Sequence, residues 1–426
     1  MLSGPSVRAL GPEEVYYQLL GRLWPMNALC AVELEADAET VRAAWARLVE
    51  LVPLLRARVR AGAERGGEVE FEVHRAVEPW ATFPDLASAL RTESSTPLDP
   101  ASAASRVSLV EDGPTTTVVL CMHHALIDGR GIAQIGLLLG ELVAGSEPDD
   151  HPLFSRTVAL EDVLEKTTDL RQRRRELLAL AREVRGEQDY VGHADRLPWH
   201  RPEVEGARDV EFHFVRLDRD QTTALLTRGR ASRTTVHGLL VAAVLGACAA
   251  MAPGVGRLAV TTAVDLKGPN QIPADTPIGQ AAGLIASSYD VTVPEDELAR
   301  AITADIRRRV ERGEGDLGYA LSGADRLVVG PQSDEVVLRW TGDATPGVCV
   351  SNVGVVPDPV PPGVRRVLPN LAPTPNQVLF VAATTLHGEL ELVISYDRSR
   401  LDVEPAALTR AIRERLLAEP AGPAVP

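Results

Sequence analysis

Near its start the chain has an apolar run followed by an amphipathic stretch, a pattern that predicts a strand and then a helix. Residues 29–34 form the strand-like run. Asp37 can cap the helix, and Pro53 predicts its approximate end. The apolar residues that recur between them at helical spacing are Val41, Ala44, Trp45, Leu48 and Val52.

A second pattern of strands and a helix follows between residues 105 and 142. Residues 105–110 and 115–122 are typical of strands, and the segment 111–114 between them (Glu-Asp-Gly-Pro) is a strong turn signal. One face of the next predicted helix carries Ile132, Ile135, Leu139 and Leu142.

Residues 145–206 differ from the segments around them. Residues 160–185 are predicted to be helical and are highly charged. Residues 186–206 are polar and contain prolines, which is typical of a linker. We therefore predict an N-terminal domain over residues 1–185, a linker over 186–206 and a C-terminal domain over 207–426.

The second half repeats the mixture of strands and helices. We predict helices over 235–250 and 404–418. The predicted strands are residues 210–217, 258–264, 284–291, 347–353, 379–384 and 389–396. Because neither half shows a regular strand–helix–strand rhythm, the pattern favours an α+β fold over a doubly wound sheet.

Composition and charge narrow the function classes. With 45% hydrophobic and 24% charged residues, the chain is typical of a folded globular protein. A formal net charge of −15 argues against nucleic acid as a partner and against broad adhesion to anionic lipid. The four cysteines lie far apart without zinc-like spacing, and the longest apolar stretch, residues 236–252, falls short of a membrane span. We therefore expect a cytoplasmic protein without an integral membrane segment.

The candidate chemistry lies where the predicted strand at residues 115–122 meets two histidines. His124 suits proton transfer near neutral pH, because the ordinary pKa of histidine lies near ~6.5. Asp128, followed by the flexible Gly129, is placed to fix the loop or to hold the imidazole tautomer. His123, the other member of the doublet, is a supporting candidate.

Other interpretations of this segment are weaker. A lone histidine beside a strand is more often a structural hydrogen-bonding group, but a doublet followed by Asp-Gly at this spacing favours function. A metal site is disfavoured, because no third ligand follows at a suitable spacing. A dinucleotide-binding loop is rejected, since Gln134 stands where that motif needs its third glycine. The sequence also contains no G-x-S-x-G motif of serine hydrolases.

The segment HHALIDG resembles the HHxxxDG motif of the chloramphenicol acetyltransferase-like, CoA-dependent acyltransferase superfamily. That superfamily includes condensation domains, polyketide-associated acyltransferases and alcohol acetyltransferases. Further similar segments occur in the order that the family shows. They are VPLLRARV, TTVHGLLVAAVLGA, TTAVDLKGP, IGQAAGLI, GVCVSNVG and LELVISYDRSRLD.

The resemblance implies a pseudo-dimer of two α+β domains with an active-site tunnel between them. It makes His124 the general base and gives Asp128 a structural role, as the partner of a second-domain arginine. Lys267 occupies that arginine's place here, and lysine cannot form a bidentate fork. Ser351 and Asn352 match a tunnel-lining segment in relatives. Either could donate to an oxyanion, or the two could simply form a turn after a buried strand.

The function implied is acyl transfer from acyl-CoA or an acyl carrier protein to a hydroxyl or amine, in natural-product or lipid biosynthesis. We expect no tightly bound cofactor, no metal and a monomer. The alternatives are a free-standing, non-catalytic module that recruits carrier proteins, or an epimerase. The basic runs at residues 171–175 and 307–309 could meet CoA phosphates, but we favour solvated helix faces for both.

Overall fold

The computed structural model describes residues 7–61, 67–71, 80–148, 150–165, 170–201, 208–270, 272–317, 330–343 and 347–418. The strands are β1 (Val7–Ala9), β2 (Asn27–Leu34), β3 (Arg58–Ala61), β4 (Gly67–Glu70), β5 (Ala81–Phe83), β6 (Ser105–Asp112), β7 (Thr115–His123), β8 (Val210–Leu217), β9 (Arg257–Asp265), β10 (Ala282–Asp290), β11 (Gly347–Val355), β12 (Val364–Leu371), β13 (Gln377–Leu386) and β14 (Glu389–Asp397). The α-helices are α1 (Pro12–Gly21), α2 (Ala38–Leu51), α3 (Leu86–Ser95), α4 (Gly129–Val143), α5 (Leu160–Glu165), α6 (Leu170–Arg185), α7 (Arg219–Ala231), α8 (Val236–Ala250), α9 (Glu295–Glu311), α10 (Pro331–Asp343) and α11 (Pro405–Leu417).

Mixed strands and helices confirm the predicted α+β class. The helix predicted after Asp37 is α2, and the Asp37 carboxylate accepts a hydrogen bond from Thr40 N, as the capping pattern predicts. The helices α1, α3, α7 and α10 and the strands β1, β3, β4, β5 and β12 were not among the predicted elements. The helix α9 was expected only around the basic run at residues 307–309.

The sheet of the first half has the order β12-β2-β7-β6-β5. The strands β2 and β7 pair antiparallel, with Asn27 opposite His123. The helix α4 lies on one face of this sheet, and glycines let it approach closely. A Cβ on Gly136 would lie 2.5 Å from Val32 Cγ2, and one on Gly140 would lie 2.2 Å from Val364 Cγ2. The helix that follows the histidine doublet is thus fixed by its packing on the sheet.

The edge strand β12 of this sheet comes from the second half of the chain. It pairs antiparallel with β2, with Leu371 opposite Ala28. In sequence it lies between two strands of the other sheet, whose order is β10-β9-β11-β13-β14-β8. The segment 364–371 therefore belongs in space to the first sheet, although the predicted domain division assigns it to the second domain.

The segment before the predicted linker also packs on the second half. Leu160 and Leu164 of α5 form a buried cluster with Leu266 and Ile278. Within the linker itself, Tyr190 forms a β-bridge with Ser287 of β10. The division at residues 186–206 stays a prediction, and the structure shows that elements from both sides of it interlock.

The basic run at residues 307–309 is not uniformly solvated. Arg309 is fully buried and ion-paired with Asp305 at 2.8 Å, Glu314 at 2.7 Å and Asp189 at 2.8 Å. The expectation of a solvated face is therefore wrong for Arg309, because these carboxylates compensate its buried charge. The network ties α9 to the predicted linker.

No single helix in the described part of the chain is long and apolar enough to cross a membrane. The helices α7 and α8 reach the length and apolar composition of a membrane span only when they are taken together. They are bent by 98° relative to each other.

Candidate active site

The loop between β7 and α4 is fixed by backbone hydrogen bonds on both sides of the histidine doublet. His123 ends β7 and donates its backbone N–H to Ala104 O at 2.9 Å. The backbone N–H of His124 donates to Met26 O at 2.8 Å, and Leu126 N donates to His123 O at 3.0 Å. The three residues after His124 are fully buried: Ala125, Leu126 and Ile127. The apolar residues of HHALIDG therefore anchor the loop and hold His124 at the strand end.

The tautomer of His124 follows from one hydrogen bond. Its Nδ1 lies 2.8 Å from the carbonyl oxygen of Ile127. A carbonyl oxygen can only accept, so Nδ1 carries the hydrogen and Nε2 holds the lone pair. Burial lowers the pKa of His124 below its ordinary value, an effect that the Ile127 carbonyl and Asp128 oppose. The side chain is thus held as a neutral imidazole with Nε2 as the basic atom.

Tyr17 of α1 packs against the His124 ring. The two ring centroids lie 4.3 Å apart, with an angle of 26° between the planes. Tyr17 is buried, and a stacked aromatic neighbour restricts rotation of the imidazole. Tyr17 was not among the predicted site residues, because nothing in its spacing distinguishes it from the neighbouring Tyr16.

His124 lines a cavity of about 120 Å³ between the two sheets. The first half contributes Tyr16, Tyr17, Leu20, Met26, Ala28 and Gly129 to its wall. The facing sheet contributes Thr261, Ala263, Ala282, Ser351, Val353 and Phe380. Neither half encloses this cavity alone, so the candidate site depends on how the halves meet.

His123 is structural in its contacts. It is buried, and its Nδ1 accepts a hydrogen bond from Ala125 N at 3.3 Å. A Cβ on Gly21 would lie 2.6 Å from His123 Nε2, so the end of α1 covers the ring closely. Burial lowers the pKa of His123 to about 4. His123 therefore stays neutral, and its ring stabilises the loop through the hydrogen bond from Ala125 N.

Asp128 caps α4 and joins the loop to the second half. Its Oδ1 accepts from Gly131 N at 2.8 Å and its Oδ2 accepts from Ala281 N at 3.0 Å. Its own N–H donates to Gly279 O at 2.9 Å. The carboxylate is thus used for backbone hydrogen bonds, which agrees with a structural role and disagrees with a direct role in the reaction.

Lys267 is not the counter-ion of Asp128. Its Nζ lies 3.5 Å from Ile278 O, and its backbone N–H donates to Asp265 Oδ1 at 2.9 Å. No ion pair between Lys267 and Asp128 occurs among the residues that the structure describes. The expectation that this lysine replaces the family's arginine is wrong, because the Asp128 oxygens already accept backbone N–H groups.

An ion pair between the halves does exist, with its charges reversed. Arg130 of α4 pairs with Asp265 of β9 at 2.5 Å, and its Nε donates to Val353 O at 3.2 Å. Arg130 lies two residues after Asp128, and Asp265 lies two residues before Lys267. The two predicted segments therefore meet, but through their neighbouring residues.

Ser351 and Asn352 are neighbours on β11, but their side chains have different surroundings. Ser351 lines the cavity of His124. Asn352 accepts a hydrogen bond from Gly354 N at 3.0 Å, so its side-chain oxygen serves the local turn. The alternative of a simple turn fits Asn352, whereas Ser351 remains a candidate oxyanion donor. Gly129 starts α4 and lines the cavity.

Close backbone contact joins the loop to the segment that follows β9. A Cβ on Gly279 would lie 2.1 Å from Leu126 O, which no side chain could tolerate without movement. In the sequence, Gly279 is one of several small residues of the family-like segment IGQAAGLI, and nothing local marks it as a point of contact. Among the described residues, no group of three or more His, Cys, Asp or Glu side chains is arranged to hold a metal ion.

Known proteins resemble this chain in two ways: a family matches part of its sequence, and solved structures share its fold. Residues 206–368 match the family of the phthiocerol/phthiodiolone dimycocerosyl transferase C-terminus. A curated relative, the FR901469 synthetase of Dothideomycetidae sp. (strain 11243), is 31% identical over 111 residues, which cover 26% of this chain. The chain spans about 1% of the length of the curated relatives it matches.

Two solved structures share the fold over nearly the whole chain. Trichothecene 15-O-acetyltransferase from Fusarium sporotrichioides has a TM-score of 0.68 and 14% identity, covering 98% of this chain and 96% of its own. Polyketide synthase associated protein 5 from Mycobacterium tuberculosis has a TM-score of 0.64 and 16% identity, covering 96% and 97%. At these identities the likeness shows the fold alone.

Proposed function

We propose that this chain is a member of the superfamily of CoA-dependent acyltransferases and condensation domains and that it transfers an acyl group from a thioester to a hydroxyl or amine. The observation that carries the proposal is the state of His124. It lies in the cavity between the halves as a neutral imidazole, and the hydrogen bond to Ile127 O leaves Nε2 as the basic atom.

In the proposed reaction, the acceptor's O–H or N–H donates to Nε2 of His124. As the proton moves to Nε2, the acceptor oxygen or nitrogen attacks the thioester carbonyl carbon and forms a tetrahedral intermediate. The intermediate collapses, its C–S bond breaks, and the leaving thiolate takes the proton back from His124. Ester or amide and free thiol are the products, and no covalent enzyme intermediate is needed.

The residues around His124 stabilise the two charges that develop in the reaction, the positive charge on the imidazole and the negative charge on the oxyanion. The Ile127 carbonyl and the Tyr17 ring face the imidazole, which becomes positively charged as it takes the proton. We assign the Ser351 hydroxyl as a hydrogen-bond donor to the oxyanion, since it lines the same cavity. Asp128 acts only by holding the loop against the second half.

The donor proposed is acyl-CoA or an acyl carrier protein, and both present the acyl group as a substrate thioester. We propose a role in natural-product or lipid biosynthesis, because the family match and the fold are to enzymes and synthetases of that kind. The cytoplasmic location and the monomeric state stay predictions.

Thiol release tests the proposal. The protein is incubated with a panel of acyl-CoA donors and alcohol or amine acceptors, and free thiol and product mass are followed together. A His124→Ala variant should lose roughly 10²–10⁴-fold in kcat. His193→Ala is the matched control, because His193 is exposed and lies outside the cavity, and it should retain wild-type rates.

Two results would contradict the proposal. One is full activity in the folded His124→Ala variant. The other is α-proton exchange on an aminoacyl thioester without thiol release, which would indicate an epimerase. Binding of a carrier protein without turnover would instead support the recruitment module.

A further inference from the structure

A buried glutamine lies where the chain enters β10. In the segment IGQAAGLI, Gln280 is the polar residue among small and apolar ones. It is 2% exposed, although glutamine is ordinarily found at the protein surface. Because burial of an amide is unfavourable unless the group forms hydrogen bonds, the contacts of this side chain show what it does.

The Gln280 side chain reaches the first helix of the chain. Its Nε2 donates to Glu13 Oε1 at 3.2 Å, and Glu13 is 1% exposed. The two residues are 267 positions apart in the sequence, so this bond joins the two halves. Glu13 lies in the first turn of α1, and its backbone N–H donates to Glu161 Oε1 at 3.1 Å. The start of α1 is therefore held by hydrogen bonds from both α5 and the segment before β10.

The backbone on both sides of Gln280 is bound to Asp128. Gly279 O accepts from Asp128 N at 2.9 Å, and Ala281 N donates to Asp128 Oδ2 at 3.0 Å. Gln280 thus lies between the two backbone groups that hold the loop of His124. A displacement of residue 280 would be transmitted to that loop.

Glu13 and Tyr17 lie four residues apart on α1, so they share one face of the helix. Tyr17 is stacked on His124, with 4.3 Å between the ring centroids. The contacts form a closed ring, which runs from Tyr17 through His124 and its loop to Gln280. It returns through Glu13 to α1. Since one helical turn joins Glu13 to Tyr17, the bond at Glu13 limits how far the Tyr17 ring can move from the imidazole.

Burial distinguishes this bond from another polar contact that α1 makes with the second half. Arg22, after the last turn of α1, pairs with Asp334 at 2.7 Å, and the two side chains are 36% and 23% exposed. Water screens such a pair and competes for its hydrogen bonds. The bond between Gln280 and Glu13 is shielded from water, so it holds α1 more firmly than the pair at Arg22 does.

From this ring of contacts we infer that the hydrogen bond between Gln280 and Glu13 keeps the Tyr17 ring stacked on His124. Gln280 and Glu13 are thus positioning residues for the proposed reaction, which act through Tyr17 and the loop. The inference rests on the proposed function and adds to it the contact that orients the base. Neither residue lines the cavity of His124, so neither is placed to contact a substrate there.

The test uses the intact chain and two measurements, thiol release and the NMR signals of the His124 imidazole. His124→Ala assigns those signals by their absence. Gln280→Met keeps the length of the side chain and removes the hydrogen-bond donor. It should lower kcat by roughly 10- to 100-fold, the order expected when a reacting group is misplaced by about an ångström. KM should stay nearly unchanged, because no contact with substrate is lost.

The NMR signals report the stack itself. In Gln280→Met the imidazole protons of His124 should move downfield, because they leave the shielding region above the Tyr17 ring. Glu13→Ala should reproduce both effects from the other side of the bond. Glu13→Gln keeps an oxygen that can accept from Gln280 Nε2, so it should stay close to wild type in kcat and in the imidazole signals.

The matched control is Thr222→Val, which also replaces a buried polar side chain by an apolar one of similar shape. Thr222 is 5% exposed, donates to Leu217 O at 3.1 Å and accepts from Leu390 N at 3.0 Å. It lies on α7 and does not line the cavity of His124. The variant should lower the urea midpoint of unfolding as Gln280→Met does and leave kcat and the imidazole signals unchanged. If Gln280→Met does not fold, Gln280→Asn, one methylene shorter, replaces it with the same expectations.

Wild-type kcat and unchanged imidazole signals in folded Gln280→Met would overturn the inference. An equal loss of kcat in Thr222→Val would also overturn it, since general destabilisation would then explain both variants. A lower kcat in Gln280→Met without a change in the imidazole signals would exclude the stack as the link. If the wild-type protein releases no thiol from any donor, the proposed reaction fails, and the imidazole signals still decide whether Gln280 and Glu13 hold Tyr17 on His124.

Discussion

The phenol ring of Tyr17 is stacked on the imidazole of His124, with 4.3 Å between their centroids and 26° between their planes. The contact joins the first helix of the chain to the loop of the histidine doublet. A ring face beside an imidazole favours the protonated form, because the negative face of the ring attracts a cation. We therefore expect the stack to favour the protonated form of His124 as well as to restrict the rotation of its ring.

Removing the Tyr17 ring should lower the pKa of His124 and slow the reaction. Cation–π contacts contribute about 0.5–2 kcal/mol, so Tyr17→Leu should reduce kcat by roughly 2- to 30-fold and shift the titration of His124 to lower pH. Tyr17→Phe keeps the ring face, so it should lower the pKa of His124 less than Tyr17→Leu does. Histidine NMR titration and the pH–rate profile measure the effect. Equal titration of His124 in the Phe and Leu variants would rule out the electrostatic role.

The pH–rate profile should show an acid limb below the ordinary range of histidine. Burial lowers the pKa of His124, and a general base must be neutral to accept a proton. The midpoint of the acid limb should therefore lie below the ordinary pKa of histidine, near ~6.5, and the rate should level off as the pH rises above it. A limb centred above about 6.5 in steady-state kcat/KM would contradict this environment for His124.

A methyl group added at Gly279 should push the segment after β9 away from the loop between β7 and α4. A Cβ there would lie 2.1 Å from Leu126 O, so Gly279→Ala should lower kcat strongly and cost about 1–3 kcal/mol or more in stability. Gly268→Ala is the matched control, because no atom lies within 4 Å of its added Cβ. Denaturant unfolding and thiol release measure both. Equal behaviour of the two variants would show that the close contact is dispensable.

The ion pair between the halves should depend on Arg130 and not on Lys267. Arg130 pairs with Asp265 at 2.5 Å and also donates to Val353 O, although its side chain is about half exposed. We expect Arg130→Ala to lower the free energy of unfolding by about 0.5–1 kcal/mol, as for exposed ion pairs. It should also raise KM, because Arg130 and Asp265 line a pocket next to the His124 cavity. Lys267→Ala should change stability by less than about 0.5 kcal/mol. A larger loss of stability in Lys267→Ala than in Arg130→Ala would contradict this prediction.

Glu161 should make stability depend on pH. Its Oε1 accepts from Glu13 N at 3.1 Å, and burial together with Glu14 and Asp162 raises its pKa to about 7. Because the folded pKa lies above the unfolded value, protonation favours the fold, and this contribution is lost as pH rises from about 4.5 to about 7. The loss should be about 1–3 kcal/mol.

A Glu161→Gln variant isolates this contribution from the other titrating groups. Glutamine resembles the protonated carboxyl group, so the difference in unfolding free energy between variant and wild type should grow in the variant's favour up to about pH 7. Urea midpoints from pH 5 to 8 measure it. Parallel curves for the two proteins would mean that Glu161 does not titrate in this range.

Local patterns were sufficient for most elements and for the catalytic loop. The strands β2, β6, β7 and β14 and the helix α2 follow from apolar runs, apolar periodicity and turn residues, because these elements bury most of their apolar side chains. The motif at residues 123–129 likewise predicted the loop that holds His124, the residue proposed as the base. The strand β12 escaped prediction because prolines flank it and two arginines lie near its start, so it has no clear alternation.

By itself, then, the sequence determined the α+β class and indicated the loop that carries His124 and Asp128. Only the tertiary structure decided that β12 completes the first half's sheet, that Arg130 and Asp265 replace the expected pair with Lys267, and that Tyr17 lies against His124. The physical reason is that these contacts join residues far apart in the chain. Periodicity and spacing report only the local preferences of a segment, whereas such contacts depend on how the two sheets pack.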